Sequence, residues 1–361
     1  MKLDELDITN YRNITSAHFV PSPDLTVICG NNGQGKTNLL ESVWLLTGGK
    51  SFRGSKDAEL IKENEDYSVV EGVVSSADEI SDIRIFIGGE ASEKKGRSAK
   101  VNGVDYGRAT SVAGKFTSVV FAPNHLSLVK GSPDGRRRFI DAALCQLYPS
   151  YITLYRRYMR QVAQKNALLK NLYKTPNALQ LLDVYDDFLV EYGTQLCERR
   201  QTYLSSITPD IIKNYDDISS GSEQLSIEYV KSFDGDMQAA LEATRKKDVY
   251  AGFCTVGPHR DDFEITINGK SAKSYASQGQ QRSAVLSLKL AEAAGIQAVT
   301  GDHPVMLLDD VLSELDDARQ EYLLTRMKNK QSIVTACDAG LFDKTDGKIY
   351  LMENGMLKIF N

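Results

Sequence analysis

The chain has 361 residues, of which 42% are hydrophobic and 25% charged, an ordinary composition for a globular protein with room for two or three domains. It has no apolar leader and no apolar run near the roughly 18 residues that cross a bilayer, so we expect a cytoplasmic protein without a membrane partner. Five scattered cysteines, none in C-x-x-C spacing, argue against a disulfide framework or a zinc site.

The net charge is −5, but the basic residues are unevenly distributed. Between positions 136 and 174 there are nine Lys or Arg residues and one acid. A local positive surface of this kind can hold phosphates in a chain that is acidic overall. A solvated charged face would give the same pattern.

The first third predicts strands around one helix. Stretches suited to strands cover residues 3–11, 25–29, 67–74, 83–87, 100–106 and 118–121. Asn102 and Gly103 provide a hairpin turn within the fifth of these. A Gly-rich turn after the second strand leads into a helix over residues 36–46.

The middle third predicts a helical hairpin. Apolar and aromatic side chains that step by three and four form a seam in its first helix, namely Ile152, Tyr155, Met159, Val162, Asn166, Leu169 and Tyr173. Thr175 and Pro176 provide the N-cap and first-turn proline of a second helix, whose seam ends near Tyr203. Two helices of about 25 residues each would form an arm roughly 38 Å long.

The last third returns to strands, over residues 224–231, 263–267, 305–308 and 333–335, with a closing hairpin over 350–360. Asn268-Gly269 and Asn354-Gly355 are its predicted turns. Amphipathic helices are predicted over residues 279–299 and 316–327.

A phosphate-binding loop is the strongest chemical signal in the sequence. The pattern G-x-x-x-x-G-K-[ST], with the asparagine after it, comprises Gly30, Asn31, Asn32, Gly33, Gln34, Gly35, Lys36, Thr37 and Asn38. Glycines let backbone N–H groups surround phosphate oxygens, and the helix N-terminus adds partial positive charge. We expect Lys36 to reach the β- and γ-phosphates of ATP and the Thr37 hydroxyl to bind Mg²⁺.

An acidic pair follows the apolar strand at residues 305–308. Ligands bind at the carboxyl ends of strands in an α/β sheet, so Asp309 is predicted to hold Mg²⁺. Asp310 is predicted to orient or deprotonate the attacking water. An acidic pair after a strand also serves as a helix N-cap, but its pairing with the phosphate-binding loop favours catalysis.

A second anion-binding helix N-terminus follows Ser277, Gln278, Gly279 and Gln280. One phosphate cradle is already present, and a second one upstream of the Mg²⁺ strand is typical of ABC ATPases. In those proteins a signature helix of this kind contacts ATP held on a partner subunit. The alternative is a simple N-cap. Residues 313–316 then occupy the position of a D-loop, which crosses the dimer interface.

These motifs predict an α/β fold. Residues 1–134 and 222–361 would together form an ABC-type P-loop ATPase head with an added antiparallel β-sheet. Residues 135–221 would form a small all-α helical-hairpin domain.

Motifs spread along nearly the whole chain resemble the RecF family of bacterial DNA-repair proteins, whose head is related to that of SMC proteins. The least specific is the phosphate-binding loop. The more specific are N-Y-R-N at residue 10, F-A-P-N at 121, R-R-F-I-D at 137, G-P-H-R-D-D at 257 and S-Q-G-Q-Q-R at 277.

The resemblance implies a weak, DNA-stimulated ATPase of recombinational repair that forms a homodimer with ATP. Such proteins bind gaps or single-strand/double-strand junctions and act with RecO and RecR to load RecA. Three departures from general ABC patterns stand out. Pro123-Asn124 replaces an obvious Q-loop glutamine, Cys337-Asp338 follows a strand without a switch histidine, and Asp310 stands where many ABC ATPases have glutamate.

Candidate DNA contacts come from the basic region. Arg136, Arg137 and Arg138 begin a helix and would bind phosphates, couple nucleotide to DNA, or pair with acids inside the head. Arg156, Arg157 and Arg160 lie off the predicted seam and so would project from the arm, with Lys165 nearby. Each phosphate contact is expected to steepen the salt dependence of binding by roughly one log–log unit.

Other functions fit the sequence less well. A transporter nucleotide-binding subunit would carry an L-S-G-G-Q signature and a switch histidine. An SMC-like protein of chromosome organisation would carry arms of hundreds of residues. A small-molecule kinase would leave the signature segment unexplained, and a nuclease would need a further acidic metal cluster.

Overall fold

A computed structural model of the chain describes residues 1–338 and 347–360. In chain order its strands are β1 (Lys2–Tyr11), β2 (Ile14–Phe19), β3 (Leu25–Cys29), β4 (Tyr67–Ser75), β5 (Ile80–Gly88), β6 (Gly96–Val101), β7 (Val104–Arg108), β8 (Ser118–Phe121), β9 (Leu225–Val230), β10 (Asp262–Ile267), β11 (Lys270–Ser271), β12 (Val305–Asp309), β13 (Ser332–Ala336), β14 (Lys348–Glu353) and β15 (Met356–Ile359). The α-helices are α1 (Lys36–Leu45), α2 (Ser127–Lys130), α3 (Pro133–Leu147), α4 (Pro149–Lys170), α5 (Ala178–Ser219), α6 (Met237–Ala251), α7 (Ala272–Tyr275), α8 (Gln278–Thr300) and α9 (Asp317–Met327).

A six-stranded sheet in the order β15-β14-β3-β13-β12-β8 carries the predicted nucleotide site. Its strands are parallel except for β15. Strands β3, β12 and β13 are buried almost throughout, as expected of parallel strands covered on both faces. Asp309 at the end of β12 pairs with Thr335 of β13, whose neighbour Ala336 pairs with Cys29 at the end of β3. These strand ends therefore meet at one edge of the sheet.

Helix α1 is held between two sheets. Its side chains Leu39, Leu40 and Val43 are fully buried in a core shared by the parallel sheet and an antiparallel sheet of order β2-β1-β4-β5-β6-β7. The other face of the parallel sheet packs against α8 and α9, through Leu290 and Leu323 among others. This packing fixes the N-terminus of α1, where the phosphate-binding loop ends.

The helical hairpin shares its core with the head. Helices α3, α4, α5, α6 and α8 pack with the three-stranded sheet β11-β10-β9 around one hydrophobic cluster. Near the tip of the hairpin, Leu168, Leu169, Ala178 and Leu182 form a smaller cluster. The predicted division of the chain at residues 135–221 stays a prediction.

The second hairpin helix is longer than predicted. It spans 42 residues and continues past Pro209 to Ser219, whereas the seam was expected to end near Tyr203. The reason is that Ile207 and Ile211 continue the three-and-four spacing and are buried in the core that includes α8. Packing of that stripe outweighs the lost backbone hydrogen bond at the proline.

The buried face of α4 is rotated from the predicted seam. Tyr158 and Lys165 are buried, whereas Tyr155 and Met159 are half-buried and Tyr173 lies beyond the helix, fully exposed. The physical reason is that α4 contacts α3, α5 and α6 rather than α5 alone. The predicted seam is therefore correct at Ile152, Val162 and Leu169, which are buried, and it misses Tyr158 and Lys165.

Lys165 does not lie on the surface as predicted. Its ammonium forms buried ion pairs with Asp186 of α5 at 2.7 Å and Asp248 of α6 at 2.9 Å. The side chain joins three helices and is no longer a candidate for binding DNA.

Replacing Lys165 with methionine is expected to destabilise the protein by about 3 to 5 kcal/mol, because Asp248 then stays buried without a cation and Asp186 keeps only its ion pair with Arg245. The free energy of unfolding in urea measures the effect. Lys170→Met is the matched control, since Lys170 is exposed on the same helix, and should change the free energy by less than about 0.5 kcal/mol. Equal effects of the two substitutions would contradict the structure.

Sequence reasoning missed β2 and α6, and also the short elements α2, β11 and α7. Helix α6 is marked at both ends, because Asp236 caps it by accepting from the Ala239 N–H at 2.9 Å and Gly252 ends it at a φ of 73°.

The three Asn-Gly turns are confirmed, all with positive φ. Among the helices of the described ranges, none has the length and apolar character needed to cross a bilayer.

Candidate nucleotide-binding site

The phosphate-binding loop lies between β3 and α1, as predicted. Gly30, Gly33 and Gly35 have φ values of 147°, 80° and 115°, which side chains rarely adopt. A Cβ on Gly30 would collide with the carbonyl oxygen of Met352, and one on Gly35 would lie 2.8 Å from Oδ1 of Asn13. Both the backbone conformation and the close neighbours therefore require glycine at these two positions.

Lys36 is buried in the first turn of α1. Its ammonium donates to the carbonyl oxygen of Gly30 and, at 3.1 Å, to that of Asn31. The ammonium therefore lies inside the curl of the loop, where the phosphate groups of a nucleotide would compete for its protons.

Other residues of the loop are bonded to the segments beside it. The Gln34 carbonyl accepts from the Asn13 side chain at 3.0 Å, and its side chain accepts from the Asn354 N–H at 2.5 Å. Asn38 donates to the Asn13 side chain at 2.7 Å. These bonds shape the loop. Asn31, Asn32 and Gly33 are exposed and free to approach a nucleotide.

Sequence reasoning missed Glu41, a fully buried carboxylate on α1. It accepts hydrogen bonds from Tyr11 at 2.9 Å, Arg12 at 2.5 Å and Ser51 at 2.5 Å. Three donors compensate its charge, so it fastens α1 to β1 and to the loop after α1. An acid at a core position of α1 was the available signal.

Thr37 and Asp309 are brought together at the edge of the parallel sheet. The Thr37 hydroxyl donates to Oδ1 of Asp309 at 2.7 Å. Thr335 donates to the same oxygen at 3.1 Å and accepts from the Asp310 N–H at 2.9 Å. Residues 272 positions apart in the sequence thus share one hydrogen bond.

This pair fits a magnesium ion. The two side chains offer a hydroxyl and a carboxylate oxygen, and Mg²⁺ prefers oxygen ligands, one or two from the protein and others from phosphates and water. Burial raises the pKa of Asp309, while the bonds from Thr37 and Thr335 oppose that rise. A carboxylate that is partly desolvated in this way gains most when a cation binds beside it.

Asp309→Asn is expected to stabilise the nucleotide-free protein at about pH 7 by on the order of 1 kcal/mol, because the amide keeps both hydroxyl partners without a buried charge. Since the pKa of Asp309 is raised on folding, the wild-type penalty is present above that pKa and disappears as the pH falls through it. Unfolding in urea at several pH values tests this. A destabilised variant at neutral pH, or an advantage that grows on acidification, would contradict the account.

Asp310 is half-buried and faces the segment predicted to be the D-loop. Its φ is 51°, an uncommon conformation for aspartate. Its carboxylate accepts from the Ser313 hydroxyl at 3.3 Å, and its carbonyl accepts from the same hydroxyl at 2.8 Å. Its role toward the attacking water stays a prediction.

A cavity of about 520 Å³ opens beside the loop. Its lining includes Gly30, Asn31 and Gln34 of the loop, Cys337 after β13, and Phe360 after β15. Polar backbone and apolar side chains thus meet at this cavity. Such a combination suits a ligand with a charged end and a flat apolar end.

The predicted signature segment caps helix α8. The Ser277 hydroxyl accepts from the Gln280 N–H at 3.2 Å, and the Gln280 side chain accepts from the Ser277 N–H at 2.8 Å. Ser277 and Gln278 are exposed, and Gly279 is half-buried. The first turn of α8 is therefore presented at the surface.

Both polar atoms of the Gln280 side-chain amide already form hydrogen bonds within the chain. The oxygen of its side-chain amide belongs to the cap, and its nitrogen donates to Glu223 at 2.7 Å. Glu223 also accepts from the Tyr215 hydroxyl at 2.5 Å. Its side chain is thus committed to supporting the cap, and the predicted contact with nucleotide does not follow from this geometry.

His259, in the G-P-H-R-D-D segment, is half-buried. Its ring nitrogens lie 2.7 Å from the Tyr158 hydroxyl and 3.1 Å from the carbonyl oxygen of Cys254. Burial lowers the pKa of His259 to about 4, so the ring is neutral at physiological pH. These contacts indicate a structural role.

The three arginines at the start of α3 have different surroundings. Arg136 is buried and forms a bidentate pair with Asp262 at 2.6 and 2.7 Å, which removes it from the candidate DNA contacts. Arg137 donates to the Asp261 carbonyl at 2.5 Å and pairs with Asp134. Arg138 is exposed. The predicted alternative of pairing with acids inside the head holds for Arg136, whereas the acid partner of Arg137 is exposed on the same helix.

The arginines of α4 are at the surface, as predicted. Arg156, Arg157 and Arg160 are exposed. Partial burial and nearby Arg108 lower the pKa of Arg156, whose guanidinium also donates to the Thr110 hydroxyl. Two like charges close together favour an anion beside them.

Comparison with known proteins agrees with this arrangement. Residues 2–358 match the family of the RecF/RecN/SMC N terminal domain. The DNA replication and repair protein RecF of Oceanobacillus iheyensis is 37% identical over 373 residues, which cover 97% of this chain and 100% of that protein. RecF of Staphylococcus aureus strain N315 is 37% identical over 372 residues, with 98% and 99% covered.

Solved structures show the same fold. The recombination mediator protein RecF-ATPrS of the RecFOR pathway superposes with a TM-score of 0.91 at 33% identity, covering 100% of this chain and 98% of that chain. The RecF-ATP structure of the same pathway superposes with a TM-score of 0.91 at 33% identity, covering 99% of this chain and 97% of that chain. An Smc head from Pyrococcus furiosus shares the fold alone, at a TM-score of 0.53 and 18% identity, with 99% and 95% covered. The chain has an ABC-type ATPase head, and it belongs to the RecF family within the broader RecF/RecN/SMC family.

Proposed function

We propose that the protein is an ATP-dependent DNA clamp of recombinational repair, in which two copies close head to tail around two ATP molecules. Slow ATP hydrolysis would open the clamp and so determine how long it stays closed. The proposal extends the ATP binding of the RecF relatives to this chain and assigns its steps to particular residues.

ATP would bind with its phosphates in the curl of the loop. Lys36, already directed into the loop, would donate to the β- and γ-phosphates instead of to the two carbonyls it now contacts. Thr37 and Asp309 would hold Mg²⁺, which neutralises phosphate charge when bound. Asp310 would accept a proton from the attacking water or orient it, and its attachment to Ser313 limits its movement.

The second half of each site would come from the partner. The exposed first turn of α8 presents a capped helix N-terminus, a group that favours a phosphate. Ser277, Gln278 and Gly279 of one copy would therefore close on the γ-phosphate bound to the other. ADP lacks that phosphate and would leave the copies apart.

DNA would contact the exposed arginines. Arg138, Arg156, Arg157 and Arg160 carry the proposal, since Arg136 and Lys165 are buried in ion pairs. Duplex beside gaps or single-strand/double-strand junctions is the expected ligand, and DNA would stimulate a weak ATPase. The RecFOR pathway named for the solved relatives supports RecO and RecR as partners in loading RecA, in the cytoplasm.

The observation that carries the proposal is the contact between Thr37 and Asp309, which brings together from distant parts of the chain the two side chains that would hold Mg²⁺. A gel-filtration series tests it. ATP with Mg²⁺, but not ADP, should convert the protein into a dimer that retains duplex DNA. A monomer under both conditions would contradict the proposal.

Replacing Arg156, Arg157 and Arg160 together with glutamine is expected to weaken DNA binding and to reduce its log–log salt slope by about three units, one for each lost phosphate contact. Fluorescence anisotropy with gapped and blunt duplexes over a range of salt measures the slope. Arg84→Gln is the control, because Arg84 is exposed but pairs with Glu71 on the antiparallel sheet. An unchanged slope in the triple variant would remove these residues from the interface.

A further inference from the structure

Arg319 of α9 lies between the two segments that the proposed dimer would present to its partner. Its Nε donates to the Ser283 hydroxyl of α8 at 2.8 Å. Its terminal nitrogen pairs with Asp316, the last residue of the predicted D-loop. Asp316 in turn caps α9 by accepting from the Arg319 N–H at 3.0 Å. One side chain thus joins the D-loop segment to the signature helix.

The contact extends to the signature segment itself. Ser283 is buried and donates its own proton to the Gly279 carbonyl at 3.1 Å. A Cβ on Gly279 would lie 3.3 Å from the Arg319 guanidinium. The arginine therefore packs against the glycine, and a larger residue at position 279 would push it away.

The D-loop segment is also tied to the catalytic end of β12. Ser313 bonds to Asp310, as described above, and Gln320 donates to the carbonyl oxygens of Leu312 at 2.8 Å and Leu315 at 3.0 Å. A continuous series of contacts therefore runs from Asp310 through residues 312–316 to Arg319 and on to Gly279. Such a series can couple two sites when it moves as a unit.

We propose that Arg319 is a positioning residue that locks the signature helix to the D-loop, so that each copy presents both segments to its partner's ATP as one rigid surface. The inference rests on the proposed head-to-tail dimer and deepens it. Arg319 would act on the nucleotide bound by the other copy, through Ser283 and Gly279, and not on the nucleotide in its own Lys36 pocket.

Arg319→Ala is expected to leave ATP affinity of the single chain unchanged and to raise the protein concentration needed for ATP-dependent dimerisation about tenfold or more, the effect of losing a charge-assisted hydrogen bond. Ser283→Ala should give a smaller change of the same kind. Arg319→Lys keeps the charge but reaches one partner at a time, so it should restore dimerisation only in part. Thermal unfolding of each variant separates these effects from loss of the fold.

Mixing two variants, at a protein concentration where neither dimerises with ATP by itself, decides whether Arg319 acts across the dimer. Lys36→Ala lacks a working nucleotide pocket, and Arg319→Ala lacks a working signature surface. In a mixed dimer one of the two sites combines the intact pocket of one copy with the intact surface of the other. Each mixed dimer has one good site of two, so an equimolar mixture should recover at most about half of the wild-type ATPase rate.

Ser277→Arg mixed with Lys36→Ala is the parallel control, because Ser277 lies in the proposed trans surface itself. If that control recovers activity and the Arg319→Ala mixture does not, Arg319 acts within its own chain and the inference is overturned. Wild-type dimerisation by Arg319→Ala alone would overturn it too. If neither mixture recovers activity, the shared site fails, and with it the proposed function.

Discussion

Lys36→Ala is expected to lower ATP affinity by about 100-fold, because it removes charge-assisted hydrogen bonds to two phosphate groups. The structure supports a large effect, since the ammonium is buried within the loop that would surround the phosphates. Titration of the nucleotide-free protein with a fluorescent ATP analogue measures the affinity. ATP hydrolysis and ATP-dependent dimerisation should be lost with it.

Lys100→Ala is a suitable control for this experiment. Lys100 is exposed on β6, in the antiparallel sheet, so its removal should leave ATP affinity unchanged. ATP binding by Lys36→Ala at wild-type strength would mean that the nucleotide binds elsewhere. The proposed roles of Thr37 and Asp309 would then have no basis.

Ser277→Arg is expected to leave ATP binding intact and to weaken ATP-dependent dimerisation. Ser277 does not line the cavity beside Lys36, so a single chain should bind ATP with wild-type affinity. Arginine at the exposed cap removes the hydroxyl bonded to Gln280 and places a long side chain where the partner's γ-phosphate would approach. We expect the dimer dissociation constant to rise roughly 100-fold or more, as for the loss of a central interface contact.

Sedimentation velocity over a range of protein concentrations measures this constant. Lys273→Arg is the matched control, because Lys273 is exposed on the neighbouring helix α7 and the change keeps its charge. Normal ATP-dependent dimers of Ser277→Arg would show that the signature surface does not take part in the shared site. Loss of ATP binding by the same variant would show that the cap acts within its own chain.

Much of the fold follows from local patterns in the sequence. Strands β3 and β12 are short apolar runs that end at a glycine-rich turn and an acidic pair, and both were predicted. The hairpin helices show where local patterns fail. The stripe on α4 depends on how many helices surround it, and the end of α5 depends on packing against α8 beyond Pro209. Spacing along one helix carries no information about those neighbours.

The candidate site likewise contains some residues that local patterns predict and others that they do not. The loop from Gly30 to Thr37 and Asp309 were predicted because their chemistry requires a fixed spacing and a fixed position after a strand. Charge alone did not distinguish Arg156 from Lys165, because burial of a cation depends on acids brought from distant segments. Glu41 and Arg319 were missed for the same reason, since their partners lie on other elements.

X-ray scattering at saturating ATP and Mg²⁺, with a short duplex present, tests the central claim most directly. Two copies that share both nucleotides should give the molecular mass of a dimer with ATP and of a monomer with ADP. Scattering from a single chain bound to ATP and DNA would contradict the account.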